Sequence, residues 1–521
     1  MYFIRLGRDL PRDLDADVRM SFAQQPGTAA DQCDVGRVTI DVLPDVALLE
    51  IFNCYVNQGQ KKDDDSWRTR HMHVYICPEK KDSWHTLVHV CQKWRSIVFG
   101  SPRRLNLRLL YTGEASIRKM LAVWPPLPII VRRSDRRSID NIMAALEHND
   151  RVCEISLLDT TRSELKKALV PMQQPYPALT DLKIWLDRFS VVAPIAPESF
   201  LGGSAPRLRH LSLEYIPFPG IPNLLLSATH LVVLHLWKIP NSGYFTPEAI
   251  VTGLSTSTRL EALRLGFESP LSHFTRESRR PPPLTRSVLP ALTQFRFEGS
   301  SEYLEDLVAR IDTPLLDDFG ITFSHELTFD TPQLTQFISR TATLETQVEA
   351  RAGVVFFGDY VRFSLVLPQG FPREFELGVT CTELDLQLSS LVQIISSAFP
   401  QTLIPTIGDL FFPRPEYSTL DWEDDDIEDS PWLRILHPFT KVKNLYLSLD
   451  FVALITRILY QLVGERVMEV LPALQSVFVD ESEFILSKIS GPIQEGIEKF
   501  VAARQLAGHP ITVSPWGGIG G

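Results

Sequence analysis

No apolar run in this chain approaches the ~20 residues that a membrane-spanning helix needs. The first twenty residues, MYFIRLGRDLPRDLDADVRM, carry charges too often to hold a signal-peptide core. Cysteine is scarce: six in 521 residues, at 33, 54, 77, 91, 153 and 381, with no C-x-x-C pair. That excludes a disulfide framework and a cysteine-based zinc module. There is no Asn-x-Ser/Thr acceptor either. These absences lead us to expect an intracellular protein of the cytosol or nucleus, with no membrane partner. Positive charge is in deficit, the formal net charge being −11, which argues against nucleic acid as the main partner. Phosphate-cradling glycine loops and the G-x-S-x-G elbow are missing. The stretch HELTF at 325 starts like a zinc-protease motif, but Phe329 stands where the second histidine belongs. The expectation is therefore a protein that is not an enzyme and holds no cofactor.

What is present is 44% hydrophobic and 22% charged, ordinary for a globular protein long enough for more than one domain. Residues 1–36 are polar, with QQPGTAADQ in the middle, and read as a disordered leader. In LPDVALLEIFNCYV, Pro44 suits a first helical position and Asp45 a first turn. Leu48, Ile51, Phe52 and Tyr55 follow at i, i+3, i+4, i+7, which predicts a helix. A charged, aperiodic insertion at 57–82 reads as a loop.

A second helix is predicted from a Ser83 cap, with Trp84, Leu87, Val90, Cys91, Trp94 and Val98 as one continuous apolar stripe. After Ser101-Pro102 the period falls to two, so Leu105, Leu107 and Leu109 predict a strand. Lys93, Arg95, Arg103, Arg104 and Arg108 make this stretch basic in an acidic chain. His71, His73, Cys77, His85, His89 and Cys91 are close in sequence. On a continuous helix, however, Cys91 falls about 200° from His89, so the ligands do not converge and no metal is expected.

Beyond residue 150 blocks of the form apolar-x-x-apolar-x-apolar recur. They begin at Val152, Leu179, Leu208, Leu231, Leu260, Leu292 and Leu316, with spacings of 27, 29, 23, 29, 32 and 24 residues. Later members begin at Cys381, Val442 and Leu474. This is the period of leucine-rich repeats, each a strand plus a return segment. The asparagine expected after the second apolar position is replaced by Asp187, Ile216, Ile239 and Glu268, so return segments should be uneven. Residues 268–287 and the acidic run 421–429 read as loops, and Gly358-Asp359 as a hairpin turn. Helices are expected from about 451 to 470 and from Pro492 to Gly508, and PWGGIGG reads as a tail.

The segments LPDVALLEIF (43–52) and LVHVCQKWRSI (87–97) resemble an F-box, which shows a Leu-Pro start, an Ile-Phe pair and a V-C-x-x-W-R ending in this order. With DSPWLRILHPFTKVKNLYLS (429–448), the chain from about residue 37 resembles fungal F-box proteins with degenerate leucine-rich repeats. The fold this implies is α/β. A small helical F-box (37–104, interrupted at 57–82) precedes an irregular leucine-rich-repeat-like solenoid (105–515), a parallel sheet with helices and loops, and a flexible tail (516–521). The resemblance also implies a function: a substrate receptor of an SCF-type ubiquitin ligase. It would bind a Skp-family adaptor, reach a cullin through that adaptor, and hold an unknown protein substrate on the repeats. Leu43, Pro44, Ile51, Phe52 and Trp94 would make the adaptor contact. The alternative is a scaffold that binds the adaptor without serving a ligase.

Alternation within the blocks assigns the outward face of the sheet to Lys183, Trp185, Ser212, Glu214, His235, Trp237, Arg264, Arg296 and Glu298. Trp185 and Trp237 stand out on this polar face, two strands apart. Either a return loop or the C-terminal helix covers them, or they form a binding centre. In the second case they would bind substrate together with His235, Arg264 and Arg296, the two arginines favouring an acidic or phosphorylated segment.

Overall fold

The architecture comes from a computed structural model. It describes residues 43–57, 84–113, 116–133, 139–187, 193–268, 285–324, 329–341, 350–367, 373–381, 384–398, 404–415, 431–461, 464–480 and 492–516. The leader, the insertion, Ser83, the acidic run and most of the 268–287 loop lie outside these residues. The chain forms two compact units, Met1–Val152 and Cys153–Gly521.

In the first unit, helix α1 (Asp45–Asn57) turns Leu48, Leu49 and Phe52 inward. The predicted single second helix is two helices, α2 (Trp84–Val88) and α3 (Gln92–Gly100). The break falls at Cys91, whose extended backbone caps α3 while its sulfur accepts from the Trp94 amide at 3.5 Å. Cys91 therefore does not lie on a continuous apolar stripe, and Val90 is 56% exposed. The capping happens because the break leaves the first amides of α3 without acceptors.

Leu105 and Leu107 belong to turns and not to a strand. Their amides bond to Ser101 and Pro102 carbonyls at 3.1 and 2.9 Å, and only Leu109 enters β1 (Leu109–Tyr111). All three leucines nevertheless join α1, α2 and α3 in one apolar core with Trp84 and Val98. The Trp84 indole N–H donates to the Arg108 carbonyl at 3.1 Å, fixing the approach to β1. The helices and β1 thus share a core, and the domain boundary expected at 104/105 runs through it. Helix α4 (Ile117–Val123), strand β2 (Ile129–Arg132), parallel to β1, and helix α5 (Ile139–Leu146) complete the unit.

The second unit converts period-two alternation into strands. Strands β3 (Val152–Thr160), β4 (Asp181–Leu186), β5 (His210–Glu214), β6 (Val233–Ile239) and β7 (Ala262–Phe267) lie in sequence order and parallel, with the register shifting between Leu157 and Thr160 and between Leu236 and Ile239. A two-residue pair, β8 (Ser287–Val288) with β10 (Ile311–Asp312), stands apart from this sheet. Strands β9 (Gln294–Gly299) and β11 (Asp318–Ser324) continue the parallel series. Leu182, Ile184 and Leu186 show the burial logic, each almost fully buried on the face that meets the return segments.

Those returns are α6 (Arg162–Ala168), α7 (Ile221–Leu225), α8 (Pro247–Leu254), α9 (Ser301–Arg310) and α10 (Pro332–Arg340), with short 3-10 turns between. Thr246 and Ser300 cap α8 and α9, and a proline starts α8 and α10. No asparagine ladder satisfies the turns. Backbone bonds between coils do so instead: Asp187 N–H to Thr160 O, Tyr215 N–H to Trp237 O, and Glu268 N–H to Ile239 O, at 2.9 to 3.0 Å. Asp159, Tyr215 and Lys238 take left-handed backbone at these strand ends.

The series is then interrupted. Strand β12 (Ala350–Phe357) turns at Gly358-Asp359 into antiparallel β13 (Tyr360–Leu367), as the sequence predicts. Strand β14 (Arg373–Thr380) pairs antiparallel to β13 and parallel to β11, so the sheet order runs β11-β14-β13-β12. The block starting at Cys381 is not a repeat strand. Its residues enter α11 (Leu384–Ala398), because the strand of this coil has already been supplied by 373–380.

Parallel coils resume with β15 (Ile407–Phe412), α12 (Pro431–Leu436), β16 (Asn444–Leu447), α13 (Leu449–Gln461) and β17 (Ser476–Asp480). Helix α14 (Pro492–Leu506) leads to β18 (Thr512–Trp516). Pro515 and Trp516 pair with Val479 and Asp480, so the tail reading of PWGGIGG fails for its first two residues. Among the described residues no helix is long and apolar enough to cross a membrane.

Candidate functional site

Two surfaces hold the predicted site residues, one in each unit. In the first, Pro44 starts α1 with its carbonyl accepting from the Ala47 and Leu48 amides, and its ring is exposed. Leu43 packs partly against the core, and its carbonyl accepts from the Lys93 ammonium at 3.2 Å. Phe52 is completely buried against Trp94, ring centroids 4.7 Å apart. Phe52 therefore cannot touch a partner directly. It sets the position of α1 on α3, a correction to its reading as a contact residue.

Trp94 is half-buried, and its indole N–H is buried without a hydrogen-bond partner. Ile51 and Tyr55 are 47% and 44% exposed, one turn apart on the outer side of α1. The apolar stripe of α1 is thus wider than the core that it covers. Lys93 pairs with Asp45 and Arg104 with Glu50, so two basic side chains border this strip. The His85 ring packs tilted against Trp84 and Trp124, with centroids 3.9 and 5.0 Å away. Among the described residues no group of His, Cys, Asp and Glu is arranged to hold a metal.

In the second unit the register lines up the outward residues strand by strand. One row reads Lys183, Ser212, His235, Arg264, Arg296, Gly320 and Glu376. The next reads Trp185, Glu214 and Trp237, so the two indoles are two strands apart, about 10 Å. Both are half-buried. The Trp185 N–H donates to Ser212 Oγ at 3.1 Å. Trp237 rests on the next strand. A Cβ on Gly266 would come within 2.6 Å of Trp237 Cε3 and 2.9 Å of Cδ2 and Cζ3. Such even distances put the ring face, and not its edge, over Gly266.

His235 meets Trp237 edge-to-face at 5.9 Å and lies 3.4 Å from Ser212 Oγ. Burial, and then the positive charges of Arg264 and Lys183, push its pKa down to about 3. It is neutral at pH 7 and a weak base, so it does not activate Ser212 as a nucleophile.

Arg296 does not serve as the anion receptor that the sequence predicts. Its guanidinium is buried, reaches across Gly320 to Glu376, and also pairs with Asp318 at 2.6 Å. Glu376 in turn meets Arg362 at 3.2 Å. Arg264 is half-buried, its pKa lowered by burial and by Arg296 beside it. Glycine at 266 and 320 is what admits these flat side chains.

At the far end the same row becomes aromatic. Phe411, Tyr446 and Phe478 occupy adjacent strands in register, stacked at 4.1 and 4.6 Å within 11° of parallel. Trp516 packs edge-on to Tyr446 at 5.2 Å.

No family model matches this chain, and no curated protein matches it. Among solved structures it is similar to the leucine-rich repeat-containing protein LegL7 from Legionella pneumophila, at 12% identity and a TM-score of 0.26. That likeness covers 67% of this chain and 90% of that one.

Proposed function

We propose that this chain is an F-box substrate receptor of an SCF-type ubiquitin ligase. Its helical unit docks a Skp-family adaptor, a cullin follows through the adaptor, and a leucine-rich-repeat-like solenoid captures a protein substrate in the cytosol or nucleus. The observation that carries the reading is the ordered set Leu43-Pro44, Ile51-Phe52 and Val90-Cys91-x-x-Trp94-Arg95 on and beside helices that share one small core. Support comes from what that core leaves uncovered. Pro44, Ile51 and Tyr55 present apolar surface that a partner helix would bury. Such a receptor performs no chemistry. It raises the rate of ubiquitin transfer by holding a substrate lysine near the charged enzyme, which requires a fixed geometry. The shared core of α1, α2, α3 and β1 provides that stiffness locally.

The test is pull-down of purified Skp-family adaptor and cullin by the full chain. A Pro44→Ala, Ile51→Glu double variant should bind adaptor at least about tenfold more weakly with unchanged melting temperature, since both residues are exposed. Adaptor capture by the variant at the native level would refute the reading. Capture of adaptor without cullin would point to the scaffold alternative.

A further inference from the structure

The turns that feed β5, β6 and β7 are built alike. Leu208, Leu231 and Leu260 are buried, and the amide of each donates to the carbonyl three residues back, on Ala205, Ala228 and Ser257, at 3.1 to 3.2 Å. Each turn is tied to the next coil in the same way: Val232 N–H donates to Arg209 O and Glu261 N–H to Val232 O, both at 2.8 Å. Arg207, His230 and Arg259 therefore hold one equivalent position on three successive coils, each three residues before its strand. Parallel neighbours stand about 4.8 Å apart, so the strip from Arg207 to Arg259 is about 10 Å long. All three side chains are exposed, as is Arg209 beside them. Over residues 205–209, 228–232 and 257–261 the one acid is Glu261. Other arginines of this sheet are matched: Arg296 meets Glu376 and Asp318, and Arg362 meets Glu376. Arg207, Arg209 and Arg259 form no ion pair with the described residues. In a chain of net charge −11, three unmatched guanidinium groups side by side form a receptor for carboxylates, which they grip through two parallel hydrogen bonds each.

We propose that this strip binds an acidic segment of a partner protein, with carboxylates seated on Arg207 and Arg259 to either side of His230. The segment crosses the coils, and about four residues of extended chain, at about 3.3 Å each, cover the strip. A nucleic acid would bring a charge with every nucleotide against a chain of net charge −11, whereas a short acidic peptide need match only the strip. The inference names a ligand class for the solenoid to which the receptor reading assigns the substrate, and it rests on that reading only for the partner's fate. It keeps the acidic ligand expected from the sequence and moves it off the outward face, where Arg296 is consumed by Glu376 and Asp318. The turn position just before each buried leucine carries it instead.

The experiment is fluorescence anisotropy of the full chain with a fluorescein-labelled peptide of alternating glutamate and serine, against its arginine-serine counterpart and a labelled single-stranded oligothymidylate. The glutamate peptide should bind, and binding should weaken as salt is raised. An Arg207→Gln, Arg259→Gln double variant should bind it about tenfold more weakly at unchanged melting temperature, since both side chains are exposed. An Arg162→Gln, Lys166→Gln double variant removes the same two charges from the exposed side of α6 and should leave affinity as it was. Equal binding of the arginine peptide, tighter binding of the oligonucleotide, native affinity in the strip variant, or an equal loss in the α6 variant would overturn the proposal. If the glutamate peptide fails while adaptor binding persists, only this inference falls. If adaptor binding fails while the peptide binds, only the receptor reading falls.

Discussion

The two ends of the repeat sheet treat their outward faces differently. In β4 to β9 large planar groups alternate with small ones. Trp237 lies on Gly266, and Arg296 crosses Gly320 to reach Glu376. In β15 to β17 three aromatic residues occupy adjacent strands, and their rings stack on one another. In-register parallel strands stand about 4.8 Å apart, so aromatic neighbours meet face to face without adjustment. Tyr446, in the middle of the stack, has a ring on each face. Trp237 instead has one face on the backbone of a glycine. The difference teaches that aromatic content alone does not make a binding surface: the neighbour across the strand decides which part of each ring stays available.

The largest effect is expected at the aromatic end. Arg504 on α14 is completely buried and donates to the carbonyls of Val467, Leu471, Pro472 and Leu474 at 3.1 to 3.4 Å. Arg504→Met would leave those carbonyls in apolar surroundings, costing about 3–5 kcal/mol in urea unfolding. A loss below about 1 kcal/mol would mean that water replaces the guanidinium.

A pair of alanine substitutions sharpens the contrast between the two ends. Gly266→Ala drives a methyl into Trp237 and should cost about 1–3 kcal/mol while changing Trp fluorescence. Gly408→Ala on β15 meets nothing within 4 Å and should stay within about 0.5 kcal/mol of native. Equal costs would show that Trp237 does not depend on its glycine bed.

The last effect is electrostatic and shows only in acid. The pKa of His235 is lowered from 6.5 to about 3 by burial and then by Arg264 and Lys183. Between those values the unfolded chain binds a proton that the folded chain refuses. The contribution of His235 is therefore whole above pH 6.5 and declines as pH falls toward 3. His235→Gln should flatten the loss of melting temperature over that window. An unchanged slope would place His235 in ordinary solvent.

Much of the fold was legible because it rests on local periodicity. The seven blocks from Val152 to Leu316 each became a strand, since a one-residue shift would send every leucine to solvent. The Gly358-Asp359 turn was equally local. The Cys381 block misled because its apolar spacing also suits a helix, and only the pairing of 373–380 with β11 decided between them. The break at Cys91 was hidden because a capping sulfur looks like one more apolar residue in a stripe. Arg504 carried a readable signal: it stands four residues after buried Phe500, on the inward side of its helix.

By itself the sequence determined the seven strands that the blocks from Val152 to Leu316 became, which face of each turns inward, and the motif set on which the adaptor reading rests, because these depend on residues a few positions apart. Only tertiary structure decided that Phe52 is core, that Arg296 is spent on Glu376 and Asp318, and that Gly266 holds up an indole. Residues 296 and 376 are eighty positions apart, and no pattern in the chain announces that strand β14 will enter the sheet beside β11. The charge of a binding face is a sum over such distant neighbours, so it is fixed by strand order and register and not by the composition of any one repeat.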